Sequence, residues 1–258
     1  MQKKPVKKEL LALPEHIESM IKDADIFDSS SSNEAKVYFI DKDRGYYLKR
    51  SPKGKLAREA MMTRYFAEKG LAARVLSYES LEEDWMLTLS VKGEDCVHSM
   101  YMEKPEKLCD TLAEILLKLH SLEAKDCPVL RMGEYFDLVR KNYLKGMFDQ
   151  SYALGQKYTP EQAFNIADSR KELFTNNTLI HGDFCLPNII LDNWKLSALI
   201  DLDNAGLGDK HIDIYWALWS MRFNFKSDKY SKRFLDGYGK DRVNCEKLEA
   251  IAAAECFG

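Results

Sequence analysis

Asp183 and Asn188 stand five positions apart in the run His181-Gly182-Asp183-Phe184-Cys185-Leu186-Pro187-Asn188, with apolar segments on both sides. No other feature of the chain limits its fold as tightly. Thr178-Leu179-Ile180 predicts a short strand entering this polar loop, and Ile189-Ile190-Leu191 predicts a second one leaving it. Asp192-Asn193-Trp194-Lys195 has turn chemistry, and Leu196-Ser197-Ala198-Leu199-Ile200 reads as a third strand that ends at another carboxylate, Asp201. The expectation is a loop and hairpin holding Asp183, Asn188 and Asp201 at one edge of a small sheet. A carboxylate at a loop tip can accept a proton from an alcohol. Amide and carboxylate oxygens are hard donors suited to a small divalent cation. Any one of the three alone would read as a turn or cap residue; together, in this order, they point to chemistry.

A chain of 258 residues can bury one large core or two modest ones. Its formal net charge of -3 gives no electrostatic reason to expect nucleic acid or an anionic membrane as partner. Cys96, Cys109, Cys127, Cys185, Cys245 and Cys256 form no C-x-x-C pair, which favours free thiols in a reducing cytoplasm. No apolar run approaches the length of a membrane span, and Pro14 breaks Leu10-Leu11-Ala12-Leu13 before it could serve as a signal-peptide core. The basic start, Lys3 to Lys8, reads as a solvated first helix or tail.

Up to about residue 90 the pattern is strand-rich with one strong helix. Lys36-Val37-Tyr38-Phe39-Ile40 and Tyr46-Tyr47-Leu48-Lys49 flank the polar turn Asp41 to Gly45 as a hairpin. Leu56 to Lys69 has helical period and stops at Gly70, and two further strands follow, Arg74–Tyr78 and Trp85–Leu89. Beyond the connector Ser90-Val91-Lys92-Gly93 the pattern turns helical. Leu108, Leu112, Ile115, Leu116, Leu119 and Leu122 form an amphipathic stripe over Lys107–Leu122. Further helices are expected over Tyr135–Lys145, Pro160–Phe174, Ile212–Met221, Lys229–Tyr238 and Cys245–Cys256.

The spacing H-x-D-x-x-x-x-N, followed by a later Asp, matches a protein-kinase catalytic loop and its metal-binding carboxylate. Phosphoryl transfer asks the protein for positioning and charge rather than covalent chemistry. Lys49 closes the hairpin, where an ammonium could reach donor phosphates. Glu59 lies on the helix that follows, where it could hold the lysine. Either alone is more often a surface charge; strand lysine then helix glutamate, ahead of the loop, favours function.

Nearly end to end, these segments resemble the aminoglycoside phosphotransferases of the kinase-like superfamily, most closely the 3′-phosphotransferase branch. The resemblance is carried by Ala35–Tyr38, Tyr47–Lys49, Arg58-Glu59 with Met61-Met62, Leu119-His120-Ser121, Asp126-Cys127-Pro128 and His181–Asn188. It continues through Ile200-Asp201-Leu202, Gly206, Asp209-Lys210 and Asp213. It implies an α+β, two-lobed protein-kinase-like fold: a small N-terminal antiparallel β-sheet lobe over residues 1–91, and a larger, mainly helical C-terminal lobe over 92–258. It implies magnesium-dependent transfer of a γ-phosphoryl group from ATP or GTP to an aminoglycoside hydroxyl, the 3′-hydroxyl by analogy with the branch, giving antibiotic resistance.

By the same resemblance Asp183 is the base, Asn188 and Asp201 hold Mg2+, and Lys49 with Glu59 meets the phosphates. Tyr47, Ile190 and Ile200 would flank the purine, backbone near Ser90 and Lys92 would meet its edge, and Ser32 and Asn33 would cover the phosphates. Asp209 and Asp213 would brace the catalytic loop, and His120 and His181 read as structural hydrogen-bonders. An aminoglycoside is a polycation, so carboxylates should line its pocket: Asp149, Glu161, Asp168, Asp203 and Glu255, with Phe257 beside them. The chain departs from the family's pattern at Ala254, where an acidic residue is expected, and at Asn204, where close relatives have arginine. The stretch Gly146–Ser169 is also less acidic than theirs. The sequence leaves open a kinase of the same fold acting on another amino alcohol, sugar or macrolide. It also leaves open a non-catalytic nucleotide-binding regulator, and, for Glu255, a solvated helix end.

Overall fold

A computed structural model describes residues 4–7, 11–30 and 35–258. The chain divides into two compact units: residues 1–93 with 197–203, and residues 94–196 with 204–258.

The first unit is built on an antiparallel sheet of β1 (Lys4–Pro5), β2 (Asp25–Asp28), β3 (Lys36–Asp41), β4 (Tyr46–Pro52), β5 (Val75–Ser80) and β6 (Glu83–Leu89), in the order β1-β2-β3-β4-β6-β5. Alternation along the strands sorts the side chains to two faces. Leu48 of β4 and Trp85 and Leu87 of β6 join Ile26, Tyr38 and Ile40 in one core, which Ile17 and Ile21 complete. Ile17 lies on α1 (Glu15–Met20). The intervening Met86 packs instead with Leu56 and Ala60, at the start of α2 (Ala57–Glu68). Lys49 pairs in register with Met86, so it belongs to the set of positions that faces α2. Asp84 fastens that helix: its carboxylate accepts from the Leu56 amide at 2.8 Å, the Ser80 hydroxyl at 2.6 Å and the Tyr78 hydroxyl at 3.1 Å. These bonds outweigh the burial that would raise its pKa and hold the carboxyl below its ordinary range.

The second unit is mainly helical. After β7 (Glu94–Asp95) come α3 (Ser99–Met102), α4 (Pro105–His120), α5 (Met132–Leu144) and α6 (Pro160–Arg170). Then follow β8 (Thr178–Ile180), β9 (Ile189–Asp192), β10 (Lys195–Leu199, whose last residues join the first unit), β11 (Gly206–Gly208), α7 (His211–Phe225), α8 (Ser231–Tyr238) and α9 (Cys245–Ala254). Leu108, Leu112, Ile115, Leu116 and Leu119 of α4 are all buried, as their spacing predicts. Helix α7 has no polar stripe and is buried on nearly every side over its first three turns, which marks it as a core helix. Small residues let α6 and α9 approach: Ala163 and Ala167 meet Ala253, Ala254 and Phe257 in one core. Ala254, fully buried there, occupies a position where a carboxylate would be stripped of water.

Three expectations are corrected. Residues Lys4–Pro5 are not a solvated helix or tail but a strand paired with Phe27 and Asp28, and β2 itself carried no signal strong enough to be read. The strands around the loop do not form one small sheet: β8 pairs antiparallel with Gly206–Gly208, while β9 pairs with β7. The helices expected over 160–174 and 245–256 end earlier, and tighter 3-10 turns cover Lys171–Leu173 and Glu255–Phe257. All six cysteines are free. No helix of the described residues is long and apolar enough to cross a membrane.

Asp84→Ala would leave the Leu56 amide and two hydroxyls without their acceptor. It should lower unfolding free energy by about 3 kcal/mol, read as a shift of the urea midpoint.

Candidate active site

In the first unit, Lys49 is set by β4 and Glu59 by α2. The lysine Nζ lies 2.7 Å from Glu59 Oε2. It also donates to Asp201 Oδ1 at 2.9 Å. The chain returns to this unit at Ser197–Asp203, where the Leu199 amide donates to the Leu71 carbonyl at 2.7 Å. Burial works against the charge on Lys49, but the Glu59 and Asp201 carboxylates outweigh it and raise the ammonium's pKa. For Glu59 burial wins and its pKa is raised, despite the lysine. Asp201 has φ 60°, an uncommon backbone for a residue other than glycine, and its side chain stays half exposed. A strained, exposed carboxylate held by a lysine is the kind of group that a site keeps for a ligand.

Other expected residues fall in this unit. Tyr47 lies edge-on to Phe39 and remains 36% exposed, while Ile200 is 39% exposed; both leave apolar surface uncovered. The Ser90 amide already donates to the Gly45 carbonyl at 3.0 Å, so its N–H has a partner, and Lys92 is exposed. Asp203 is exposed and its charge reaches Glu59. Ser32 and Asn33 lie outside the described residues.

In the second unit the loop Ile180–Asn188 is held from below by Asp213, fully buried on α7. Its carboxylate accepts from the His181 amide at 2.8 Å and the Gly182 amide at 2.7 Å. His120 Nε2 completes it at 3.1 Å, and the Tyr238 hydroxyl meets the opposite ring nitrogen at 2.8 Å. A carboxylate only accepts, so the His120 proton sits on Nε2. Gly182 has φ 82°, and a Cβ there would stand 2.0 Å from the Asn204 carbonyl oxygen. Ser220, one polar residue on the apolar helix α7, accepts from the Leu186 amide at 2.9 Å. Asn188 then turns its amide group onto Asp183, 2.9 Å from Oδ2 and 3.0 Å from the main-chain carbonyl. β9 and β10 are joined by Asn193 and Trp194 at φ 50° and 69°, the backbone of a two-residue type I′ turn. Ile190 of β9 is half-buried.

The acceptor-side candidates separate. Glu255 is only 7% exposed, which overturns its reading as a solvated helix end. The Tyr135 hydroxyl donates to its Oε1 at 2.9 Å. Burial first, and the nearby Asp183 charge, push its pKa up to about 8, while Tyr135, Trp216 and Arg131 oppose the shift. Phe257 is 1% exposed, its ring packed against Tyr143, Phe148 and Phe164. Asp149 caps the turn at Ser151, Asp168 of α6 pairs with Lys171 just beyond it, and Glu161 is exposed in the first turn of that helix. Asn204 accepts from Arg131 at 3.0 Å. Asp209, expected to brace the loop, instead ties His211 at 2.6 Å and Lys247 at 2.6 Å, joining the starts of α7 and α9. Tyr135, Arg131, Ser220 and Tyr238 were not legible in the sequence; only Ser220, polar within an apolar helix, carried a signal.

Asn188 and Asp201, taken one by one, carry donor atoms of the kind that magnesium takes. Asn188 uses its amide NH2 on Asp183, which leaves its Oδ1, and Asp201 keeps Oδ2, so each offers one hard oxygen. Among the described residues no group of three or more His, Cys, Asp or Glu could hold a metal alone.

The model of the phosphotransferase enzyme family matches residues 26–250. A probable aminoglycoside 3′-phosphotransferase of Lactococcus lactis is 44% identical over 248 residues, 95% of each chain. An aminoglycoside 3′-phosphotransferase of Niallia circulans is 30% identical over 171 residues, 64% of each. Among solved structures, a type VIII aminoglycoside 3′-phosphotransferase superposes with TM-score 0.76 at 21% identity, covering 94% of this chain and 97% of its own. A Streptomyces rimosus aminoglycoside phosphotransferase, in complex with ADP and streptomycin, gives 0.70 at 20% identity over 86% and 90%. The fold is the kinase-like α+β fold that the sequence led one to expect.

Gly182→Ala should raise the free energy of the native loop beyond tolerance, giving a lower thermal midpoint and a collapse of any activity together. The Asp209 carboxyl works through a different variable. Burial opposes its charge, but the bonds from His211 and Lys247 prevail and lower its pKa to about 2. Its contribution is complete above about pH 4 and is lost as pH falls through about 2. Asp209→Asn should therefore cost about 2 kcal/mol at neutral pH and little near pH 2, read by urea unfolding across that range.

Proposed function

This chain belongs to the phosphotransferase enzyme family, and on that footing we propose that it transfers the γ-phosphoryl group of ATP or GTP, with magnesium, to a hydroxyl of an aminoglycoside. The 3′-hydroxyl is the position that the names of its relatives suggest. The observation that carries the reading is Asp183, aimed by Asn188 on a loop whose amides are clamped by Asp213. Such a carboxylate is held still at the moment it must take a proton.

In this reading Lys49, kept extended by Glu59, neutralises donor phosphate oxygens as a point charge. Tyr47, Ile200 and Ile190 supply apolar surface for the purine, and main-chain groups from Ser90 to Lys92 meet its edge. Ser32 and Asn33 cover the phosphates. Asn188 and Asp201 would hold the magnesium, which when bound would offset the phosphate charge. Asp183 orients the acceptor hydroxyl and takes its proton as the new phosphorus–oxygen bond forms. Glu255 receives an acceptor ammonium, with Phe257 anchoring its turn. Asp149, Glu161, Asp168 and Asp203 supply longer-range attraction for a polycation. In this reading the enzyme works in the cytoplasm, a compartment that suits free cysteines and a nucleotide donor, and its product is an inactivated antibiotic.

Asp183→Asn should lower turnover about 10²–10⁴-fold while leaving nucleotide affinity largely unchanged. A panel of kanamycin, neomycin, other amino alcohols, sugars and macrolides, with mass spectrometry to locate the phosphate, tests the acceptor. Turnover confined to the non-aminoglycosides would replace the acceptor assignment. Nucleotide binding without transfer to any of them would reduce the protein to a regulator.

A carboxyl with a pKa near 8 is mostly protonated at pH 7. Binding an ammonium there should eject close to one proton, since the cation favours the carboxylate. Calorimetry of acceptor binding in two buffers of different ionisation enthalpy reads that number, and Glu255→Gln should abolish it.

A further inference from the structure

The wall beside Glu255 is aromatic. Tyr152 stacks on Trp219, ring centroids 5.2 Å apart at 15°. Trp216 stands edge-on to Tyr152, Trp219 and Tyr215 and also bonds the Glu255 carboxylate. The Tyr152 ring is not on a loose loop. The Tyr215 hydroxyl donates to the Tyr152 carbonyl, Trp219 Nε1 to the Ser151 carbonyl at 3.2 Å and Arg222 to the Leu154 carbonyl at 2.9 Å, all from α7. From the other side, the Asp149 amide donates to the Cys256 carbonyl at 2.7 Å, joining this turn to the one that carries Glu255. Tyr152 is thus fixed between the helix that clamps the catalytic loop and the turn that bears the buried carboxylate. The charges of Glu255 and Asp183 both reach its hydroxyl and, after burial and Asp149, help raise its pKa.

Resting on the acceptor reading above, we propose that Tyr152, backed by Trp219 and Trp216, is a specificity-determining residue that takes one ammonium-bearing ring of the acceptor on the face turned away from Trp219, beside Glu255. Trp219 stacks on one face of the ring, and Tyr152 remains partly exposed. The negative face of an aromatic ring attracts a cation, most strongly where water is scarce. One buried carboxylate and an aromatic wall recognise a ring with a single well-placed ammonium, whereas a carboxylate-lined pocket recognises total positive charge. That fits a chain in which Asp149 and Asp168 are engaged with Ser151 and Lys171, and Ala254 replaces a carboxylate. The acceptors favoured are therefore amino sugars in which one amine dominates binding.

The experiment measures acceptor affinity by calorimetry and turnover in parallel, on the full chain, with kanamycin and with N-acetylated kanamycin as probes. Tyr152→Phe keeps the ring and should bind kanamycin within about 2-fold of the wild type, whereas Tyr152→Leu should weaken it about 10-fold. Binding of the acetylated probe should not respond to either change. Because Tyr152→Leu removes packing, phenylalanine carrying one, two or three fluorines at position 152 supplies a series of unchanged shape. Affinity for kanamycin should fall stepwise with fluorination and that for the acetylated probe should stay level. Normal turnover with a flat fluorine series overturns the aromatic site and leaves the phosphotransfer reading standing. Neither binding nor turnover of kanamycin by the wild type overturns the acceptor assignment and this site with it.

Discussion

The contact on which the active loop depends is the buried carboxylate of Asp213 beneath the amides of His181 and Gly182. Two adjacent N–H groups cannot both point at one side chain unless the backbone between them turns tightly. Glycine at 182 permits that turn, and the Asn204 carbonyl closes over it. The helix that carries Asp213 also carries Ser220, which holds the Leu186 amide further along the loop. One rigid, buried helix therefore fixes both ends of a segment that has little regular structure of its own. An isolated charge at zero exposure would be prohibitive; three donors from the loop and His120 make it tolerable.

The donor-side cluster follows another logic. Lys49 keeps its charge in a largely buried position because two carboxylates face it, and one of them, Glu59, remains costly to ionise. The other, Asp201, is exposed and backbone-strained. A lysine shared between a fixed and an exposed partner keeps its position when a ligand draws the second away. Asp84, remote from chemistry, matters here because it anchors the first turn of α2 and so the height at which Glu59 meets β4.

Around the last turn of the chain, charge gives way to burial. Ala254 sits in a close-packed seam, Phe257 in an aromatic cluster, and Glu255 alone among the last residues retains a carboxylate, half-satisfied by Tyr135. Selectivity in such a site comes from shape and from a few desolvated contacts, more than from the sum of surface charge.

Much of this was legible in the residues themselves. Strands β3, β4, β6, β9 and β10, the stop of α2 before Gly70, and the order of Lys49, Glu59, Asp183, Asn188 and Asp201 all follow from periodicity, turn chemistry and spacing, which act over a few residues at a time. What spans the chain was not. The short strand β1 and its partner β2 lack apolar alternation and exist only because β3 offers an edge. Pairing of β8 with Gly206–Gly208, return of Ser197–Asp203 to the first unit, Tyr135 on Glu255 and Arg131 on Asn204 each join residues far apart in sequence. Local patterns determine which groups can do chemistry. Burial, which sets the protonation of Glu255 and the tolerance for Asp213, is a property of neighbours brought together by folding, and only the tertiary structure decides it.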